Sequence, residues 1–209
     1  MINDYAIKQT YYKVSILVLL FSILSIQAFS QSKNRITLQS GFASNALFTS
    51  PGLVGGGSHQ GKGASGFGIT YSRNLNKSFA LETGLEYSSN RIETTSTFHP
   101  GFERQVTNSK IQMLSVPVYG NLTFLKYLFV NGGLLFSMET KISGQEFRGI
   151  DSQSGLGYGL ALGGKYSVNK MTVLVNPFFQ KHAVLAYKRN NSQERLGELG
   201  LQFGVGYSF

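Results

Sequence analysis

The sequence predicts an all-β fold: a transmembrane, antiparallel, up-and-down β-barrel of about eight strands, with short periplasmic turns and long outer loops. Three observations carry that prediction. After residue 30 the side chains alternate, apolar against small or polar, with period two almost throughout. The connections between alternating stretches run long, short, long, short. Glycine is abundant, 25 of 209 residues, while charged residues make up only 14%, a composition unlike that of a helical enzyme.

The alternation is clearest at the C-terminus. Leu199, Leu201, Phe203, Val205, Tyr207 and Phe209 interleave with Gly200, Gln202, Gly204, Gly206 and Ser208. Successive side chains of a strand point to opposite faces, so one face is wholly apolar and the other small or polar. The same pattern marks Phe67–Tyr71, Phe79–Tyr87 and Leu156–Tyr166. It recurs in Arg35–Ala43, Met113–Thr123 and Tyr127–Met138. The eighth candidate, Met171–Lys181, is ambiguous because both of its parities are largely apolar. On this parity Leu160 faces lipid, where an arginine is costly, and Gly159 faces the lumen, where a serine is expected to be tolerated.

Short turns are expected at Asn74-Leu75-Asn76-Lys77, around Leu125-Lys126, and at Ser167-Val168-Asn169-Lys170. Longer polar stretches, read as outer loops, cover Ser44–Gly63, Ser89–Ser109, Glu139–Ser154 and Ala183–Leu196. A soluble lipocalin-like barrel would also alternate, but its outer face is wetted by Lys, Glu and Asp. Here the non-apolar face is mostly Gly, Ser, Thr, Ala and Gln, which suits a narrow lumen, and the Leu, Val, Ile, Phe and Tyr face suits lipid. Closure follows, because an open edge would leave backbone groups unsatisfied in hydrocarbon. Tyr71, Tyr87, Phe124, Tyr127, Tyr166, Tyr187 and Tyr207 lie near the expected strand ends, where amphipathic rings favour the membrane interface.

Residues 1–30 read as a secretory signal peptide and residues 31–209 as the barrel. Lys8 and Lys13 precede the apolar run Val14–Ile26, and Ala28-Phe29-Ser30 offers small residues at the two positions a signal peptidase reads. The run is too short for a spanning helix, which needs about 20 residues. With no cysteine in the chain, a lipid anchor on cysteine is excluded. The net charge is +9. Lys8 and Lys13 against Asp4 contribute +1, leaving +8 on residues 31–209. Export makes nucleic acid an improbable partner and anionic lipid head groups the available one. The expected localisation is the outer membrane of a Gram-negative cell.

The run Leu114-Ser115-Val116-Pro117-Val118, the stretch YSRNLNKSFALETGLEYSS and the C-terminal LGLQFGVGYSF resemble the outer-membrane β-barrel domain family that includes the PorT-like proteins. The resemblance spans most of residues 31–209. It implies an outer-membrane barrel, with some members serving protein secretion, and it carries over no catalytic residue.

Candidate chemistry is sparse. His59, His99 and His182 fall in or beside the expected outer loops, and Ser58-His59 and His182 are the only starting points for a Ser–His–acid site. Neither has a recognisable spacing, so a lipid-modifying hydrolase is a distant third reading. Few histidines and no cysteine argue against a transition-metal site, and no cofactor is expected. Gly55-Gly56-Gly57 and Gly61-x-Gly63 lack the helix and Lys-Ser/Thr of a phosphate loop. Glu82, Glu86, Asn121, Lys165 and Glu198 have inward parity. They either line a pore and set its selectivity or pair across the lumen and plug it. The plug is favoured, because about eight strands leave an interior just wide enough for side chains. The expected outer loops carry Lys62, Arg91, Arg104, Lys110, Lys141, Arg148, Lys181, Lys188, Arg189 and Arg195, against fewer acidic residues. Lys62, Arg91, Arg104, Lys141, Arg148, Lys188 and Arg189 are candidate contacts to lipopolysaccharide phosphates, or else a solvated rim. Phe203, Tyr207 and Phe209 resemble the terminal aromatic pattern read by barrel assembly machinery. The expected function is therefore a non-enzymatic barrel with a largely plugged lumen, acting in membrane organisation, in protein secretion or assembly, or in surface interactions. The alternative is a porin-like small-solute channel.

Overall fold

The computed structural model describes residues 34–48, 58–96, 105–143, 152–188 and 194–209. The expected signal peptide lies outside them, as do His99, Arg104, Arg148 and Arg189. The described chain forms eight strands: β1 Asn34–Phe48, β2 Ser58–Asn74, β3 Phe79–Thr95, β4 Val106–Phe124, β5 Leu128–Ser143, β6 Gly155–Val168, β7 Met171–Ala186 and β8 Arg195–Ser208. Each pairs antiparallel with its sequence neighbours, and β1 pairs with β8, closing the barrel. The seam is sealed at its end by two backbone bonds, Asn34 N–H to Phe209 O at 2.9 Å and Phe209 N–H to Asn34 O at 2.8 Å. Closure leaves no edge to satisfy.

Short turns join β2 to β3, β4 to β5 and β6 to β7 at one end. Leu125 and Lys126 both adopt positive φ, 49° and 63°, as does Asn169 at 53°. Left-handed residues let these short connections, three residues between β4 and β5 and two between β6 and β7, match the twist of their strands. Exposed rings surround this end: Tyr71, Phe79, Phe124, Tyr127, Tyr166, Tyr207 and Phe209. A second set of aromatic contacts sits higher on the outer wall. Phe67 meets Tyr87 at 5.3 Å, Phe42 meets Phe203 at 6.3 Å and Tyr158 meets Phe179 at 6.1 Å. A strand rise of about 3.4 Å per residue and a tilt near 40° place these rings roughly 13–26 Å above the turn-end residues of their strands. The highest of them falls at the top of the apolar band of an outer-membrane barrel, about 25 Å tall, and the others within its upper half.

Between the two aromatic levels the parity is as expected. Leu38, Phe67, Leu160 and Leu199 point outward at 64%, 65%, 58% and 63% exposure, while Thr37, Thr70, Glu82, Asn121 and Asn176 are buried inside. The ambiguous stretch Met171–Lys181 resolves as well. Val173, Val175, Pro177 and Phe179 face out, and Thr172, Leu174, Asn176, Phe178 and Gln180 face in.

The strands run 14 to 19 residues, longer than the 9–11 that span a bilayer, and this corrects the loop assignment. Lys62, Arg91, Lys110, Lys141 and Lys181, expected in outer loops, stand on strands. So do His59 and His182. The alternation does not stop above the upper aromatics; it changes sign. There outward positions of β3 and β4 become polar, as at Arg91 and Lys110, and inward ones include large apolar residues beside buried Thr94, Thr107 and Ser109. Ile92, Ile111, Met113 and Leu196 form a buried core cluster inside the barrel. Around this cluster the wall forms a collar built in the manner of a soluble barrel, with apolar side chains within and Arg91 and Lys110 without. Irregularities mark it: the β2–β3 register shifts between Gly61 and Ala64, β4–β5 between Gln112 and Met113, and β6–β7 between Leu156 and Tyr158.

Candidate functional site

The lumen is where the chemistry-bearing side chains converge, because inward parity from eight strands aims them at one axis. Three networks are stacked along it. The lowest is centred on Glu82. Its Oε1 accepts from Ser72 Oγ at 2.8 Å, Asn121 Nδ2 at 3.0 Å and Arg35 Nη2 at 3.3 Å, and its Oε2 accepts from Asn131 Nδ2 at 3.0 Å. Lys165 does not reach Glu82; its Nζ donates to Thr123 Oγ1 at 2.6 Å and lies over the Phe129 ring at 5.9 Å. In the middle, Glu86 accepts from Gln39 at 2.9 Å and Gln180 at 3.0 Å, with the Tyr119 hydroxyl 3.5 Å from Gln180.

The third network lies beneath the apolar collar. Glu198 Oε1 accepts from Asn90 Nδ2 at 2.7 Å and Ser88 Oγ at 3.3 Å. His182 Nε2 lies 3.3 Å from the same oxygen, a close contact without the alignment of a hydrogen bond. On its other side His182 Nδ1 is 2.8 Å from Ser137 Oγ, which also bonds Ser115 Oγ at 3.1 Å. Serine, histidine and carboxylate thus line up in the order of a hydrolytic triad. Their exposures are 0%, 1% and 3%, and the cluster of Ile92, Ile111, Met113 and Leu196 roofs them. No carbonyl group can be brought to Ser137 in this packing. The Ser58-His59 pair is corrected too, since neighbouring strand residues point to opposite faces. His59 Nδ1 instead bonds Thr94 Oγ1 at 2.9 Å, and its Nε2 lies 3.4 Å from Glu194.

Among the described residues, packing leaves little space between the networks. Cavities of about 40, 30 and 20 Å³ remain between the networks, each with room for on the order of one to three waters. Tyr119 crosses the lumen and needs Gly159 opposite it. A Cβ on Gly159 would collide with the Tyr119 hydroxyl and lie 2.8 Å from its Cζ, so a serine there requires the end of the Tyr119 ring to move.

Of the residues expected in the lumen, Glu82 and Asn121 meet directly, Lys165 joins through Thr123, and Glu86 and Glu198 centre separate networks. Sequence reasoning missed Arg35, Gln39, Ser72 and Asn131, whose inward parity was readable, Gln180, in the stretch of mixed parity, and the pairing of His182 with Ser137, which stand on separate strands. Of the cationic candidates described, Lys62, Arg91 and Lys141 are exposed on strand faces and Lys188 is exposed just past β7. Phe203, Tyr207 and Phe209 all point outward from β8 and its end.

A closed eight-stranded antiparallel barrel with an apolar outer band and a polar, hydrogen-bonded interior defines a transmembrane barrel of the outer membrane. The chain belongs to the outer membrane protein β-barrel domain family, whose model matches residues 16–209. Solved structures with the same fold include the outer membrane protein OprG from Pseudomonas aeruginosa, at 12% identity and a TM-score of 0.54, covering 85% of this chain and 97% of that one. Neisserial surface protein A is similar at 18% identity and a TM-score of 0.46, covering 83% and 97%. Ail, the attachment invasion locus protein of Yersinia pestis, is similar at 15% identity and a TM-score of 0.43, covering 85% and 99%. No curated protein matches the chain.

Proposed function

We propose that this outer-membrane barrel is neither an enzyme nor a channel. It is a sealed scaffold that holds its long-loop end at the cell surface, for membrane organisation, for secretion or assembly, or for surface interactions. The observation that supports this reading is the stacked lumen. Three carboxylate-centred networks and an apolar layer succeed one another along the axis, and the cavities between them are no larger than a few waters. A conducting pore needs a continuous wetted path past its charged groups, and here each carboxylate is engaged by neighbours.

Planar-bilayer recording on the full-length protein tests the proposal. The expected result is silence at ordinary salt. A reproducible conductance step would overturn it and leave a small-solute channel in its place.

A further inference from the structure

The barrel's outer wall carries a row of cations that the fold places together at one height. Arg91 on β3 is the direct register partner of Lys110 on β4. Lys110 stands opposite Ser143 on β5, with Lys141 diagonal to it through the Gln112 pair. Lys62, at the β2 register shift, extends the row to a fourth strand. All four side chains are exposed. Among the described residues the only acidic side chain on this face is Glu93, which lies 3.1 Å from Lys62. Four cations against one carboxylate leave +3, and Arg91, Lys110 and Lys141 have no acidic partner among the described residues. Like charges directly opposite each other in a sheet are destabilising, so this arrangement favours a bound anion.

The height of the row identifies the anion. These residues stand 12 to 14 positions along their strands from the turn-end residues Asn74, Phe79, Phe124 and Leu128. At about 2.6 Å of axial rise per tilted residue that is roughly 31–36 Å, some 6–11 Å beyond the top of a band of about 25 Å. Exposed Met138, Phe136 and Val116 lie just below on the same wall, at acyl-chain depth. Apolar surface below and unpaired cations above match a lipid that is acyl-chained beneath and phosphorylated at its head.

We propose that Arg91, Lys110 and Lys141, flanked by Lys62, form a binding site for the phosphate groups of an outer-leaflet glycolipid of the lipopolysaccharide class. Arginine forks and lysine ammonium groups both take phosphate oxygens well. The site rests on the outer face of β3–β5 and is independent of whether the lumen conducts.

The test uses full-length protein in nanodiscs of phosphatidylcholine, with and without a bis-phosphorylated lipid A, and with its dephosphorylated form as a control. The triple variant Arg91→Gln, Lys110→Gln, Lys141→Gln should lose about 100-fold in lipid A affinity, about 2.8 kcal/mol at 1.4 kcal/mol per tenfold. Wild type should discriminate the phosphorylated from the dephosphorylated lipid by a similar factor. A matched triple at the turn end, Lys77→Gln, Lys126→Gln, Lys170→Gln, should bind as wild type does. Stability supplies a second readout whose sign changes with the lipid. Lys110→Gln alone should raise the thermal midpoint in phosphatidylcholine, where it relieves repulsion, and lower it when lipid A is present. Equal losses in both triples, one sign of stability change in both lipids, or displacement of lipid A by millimolar inorganic phosphate or by a soluble sulfated polysaccharide at the same affinity would overturn the assignment.

Discussion

Removing the carboxylate of Glu82 should destabilise the barrel far more than replacing Glu82 and Arg35 together. Glu82 is 6% exposed and accepts from four donors on four strands. Three of those bonds are 2.8–3.0 Å, and the Arg35 contact, at 3.3 Å, is long. Hydrogen bonds to a charged group contribute about 1.5–3 kcal/mol each, but the freed amides of Asn121 and Asn131 can turn to water in the adjoining cavity. Breaking a buried ion pair by deleting one partner costs about 3–5 kcal/mol, because the other charge remains buried and uncompensated. The expected loss for Glu82→Ala is therefore about 4 kcal/mol. In Glu82→Leu with Arg35→Met the charge is removed with its partner, and the loss should fall to about 1–2 kcal/mol. Urea unfolding of the barrel refolded in detergent, followed by heat-modifiable gel migration and by tryptophan-free far-UV dichroism, measures both. If Glu82→Ala changes stability by less than 1 kcal/mol, or if the two single substitutions simply add, the network is not a coupled unit and the reasoning fails.

Leu160→Arg should cost about 2–4 kcal/mol by placing charge against the lipid near the midplane, and refolding yields in liposomes will report it. Gly159→Ser should be comparably harmful, by about 1–3 kcal/mol of overpacking against Tyr119, and Tyr119→Leu in the same chain should restore most of the yield; a harmless Gly159→Ser would show that Tyr119 does not fill the lumen as described. Phe209→Ala keeps both backbone bonds to Asn34 while removing the ring, so it should slow assembly in cells and leave detergent refolding nearly unchanged; equal slowing in both would make Phe209 an anchor rather than an assembly signal.

The membrane part of the fold was legible because lipid imposes one rule on every outward position. Leu199 to Phe209 obeys it without a break, and the strand, its faces and its closing partner follow. Met171–Lys181 hid its faces because Leu174 and Phe178 are apolar yet inward: near the wall of a narrow lumen a side chain is shielded from water by its neighbours, so polarity no longer reports direction. The collar was read as loop for a different reason. Above the lipid the outward positions meet water, so Arg91 and Lys110 look like loop residues, while Ile92 and Ile111 between them keep the period with inverted sign. The lumen carboxylates were visible one by one through parity. Their partners were not, since Ser137, His182 and Glu198 come from β5, β7 and β8, and only closure brings them within 3.3 Å.

The inverted collar also governs which way round the protein can sit. To turn over after insertion, the barrel would have to draw Lys62, Arg91, Lys110 and Lys141 back through hydrocarbon. At about 2–4 kcal/mol per cation at the midplane, four such residues raise a barrier of roughly 8–16 kcal/mol before any polar backbone of the connecting segments is counted. The turn end carries exposed Lys77, Lys126 and Lys170, roughly 6–12 kcal/mol on the same scale, but only short connections follow them through the hydrocarbon. With cations at both ends of the wall, and the long connections all behind the collar, turning over is opposed from either side, and the topology of the inserted barrel is held by kinetics as well as by its hydrogen bonds.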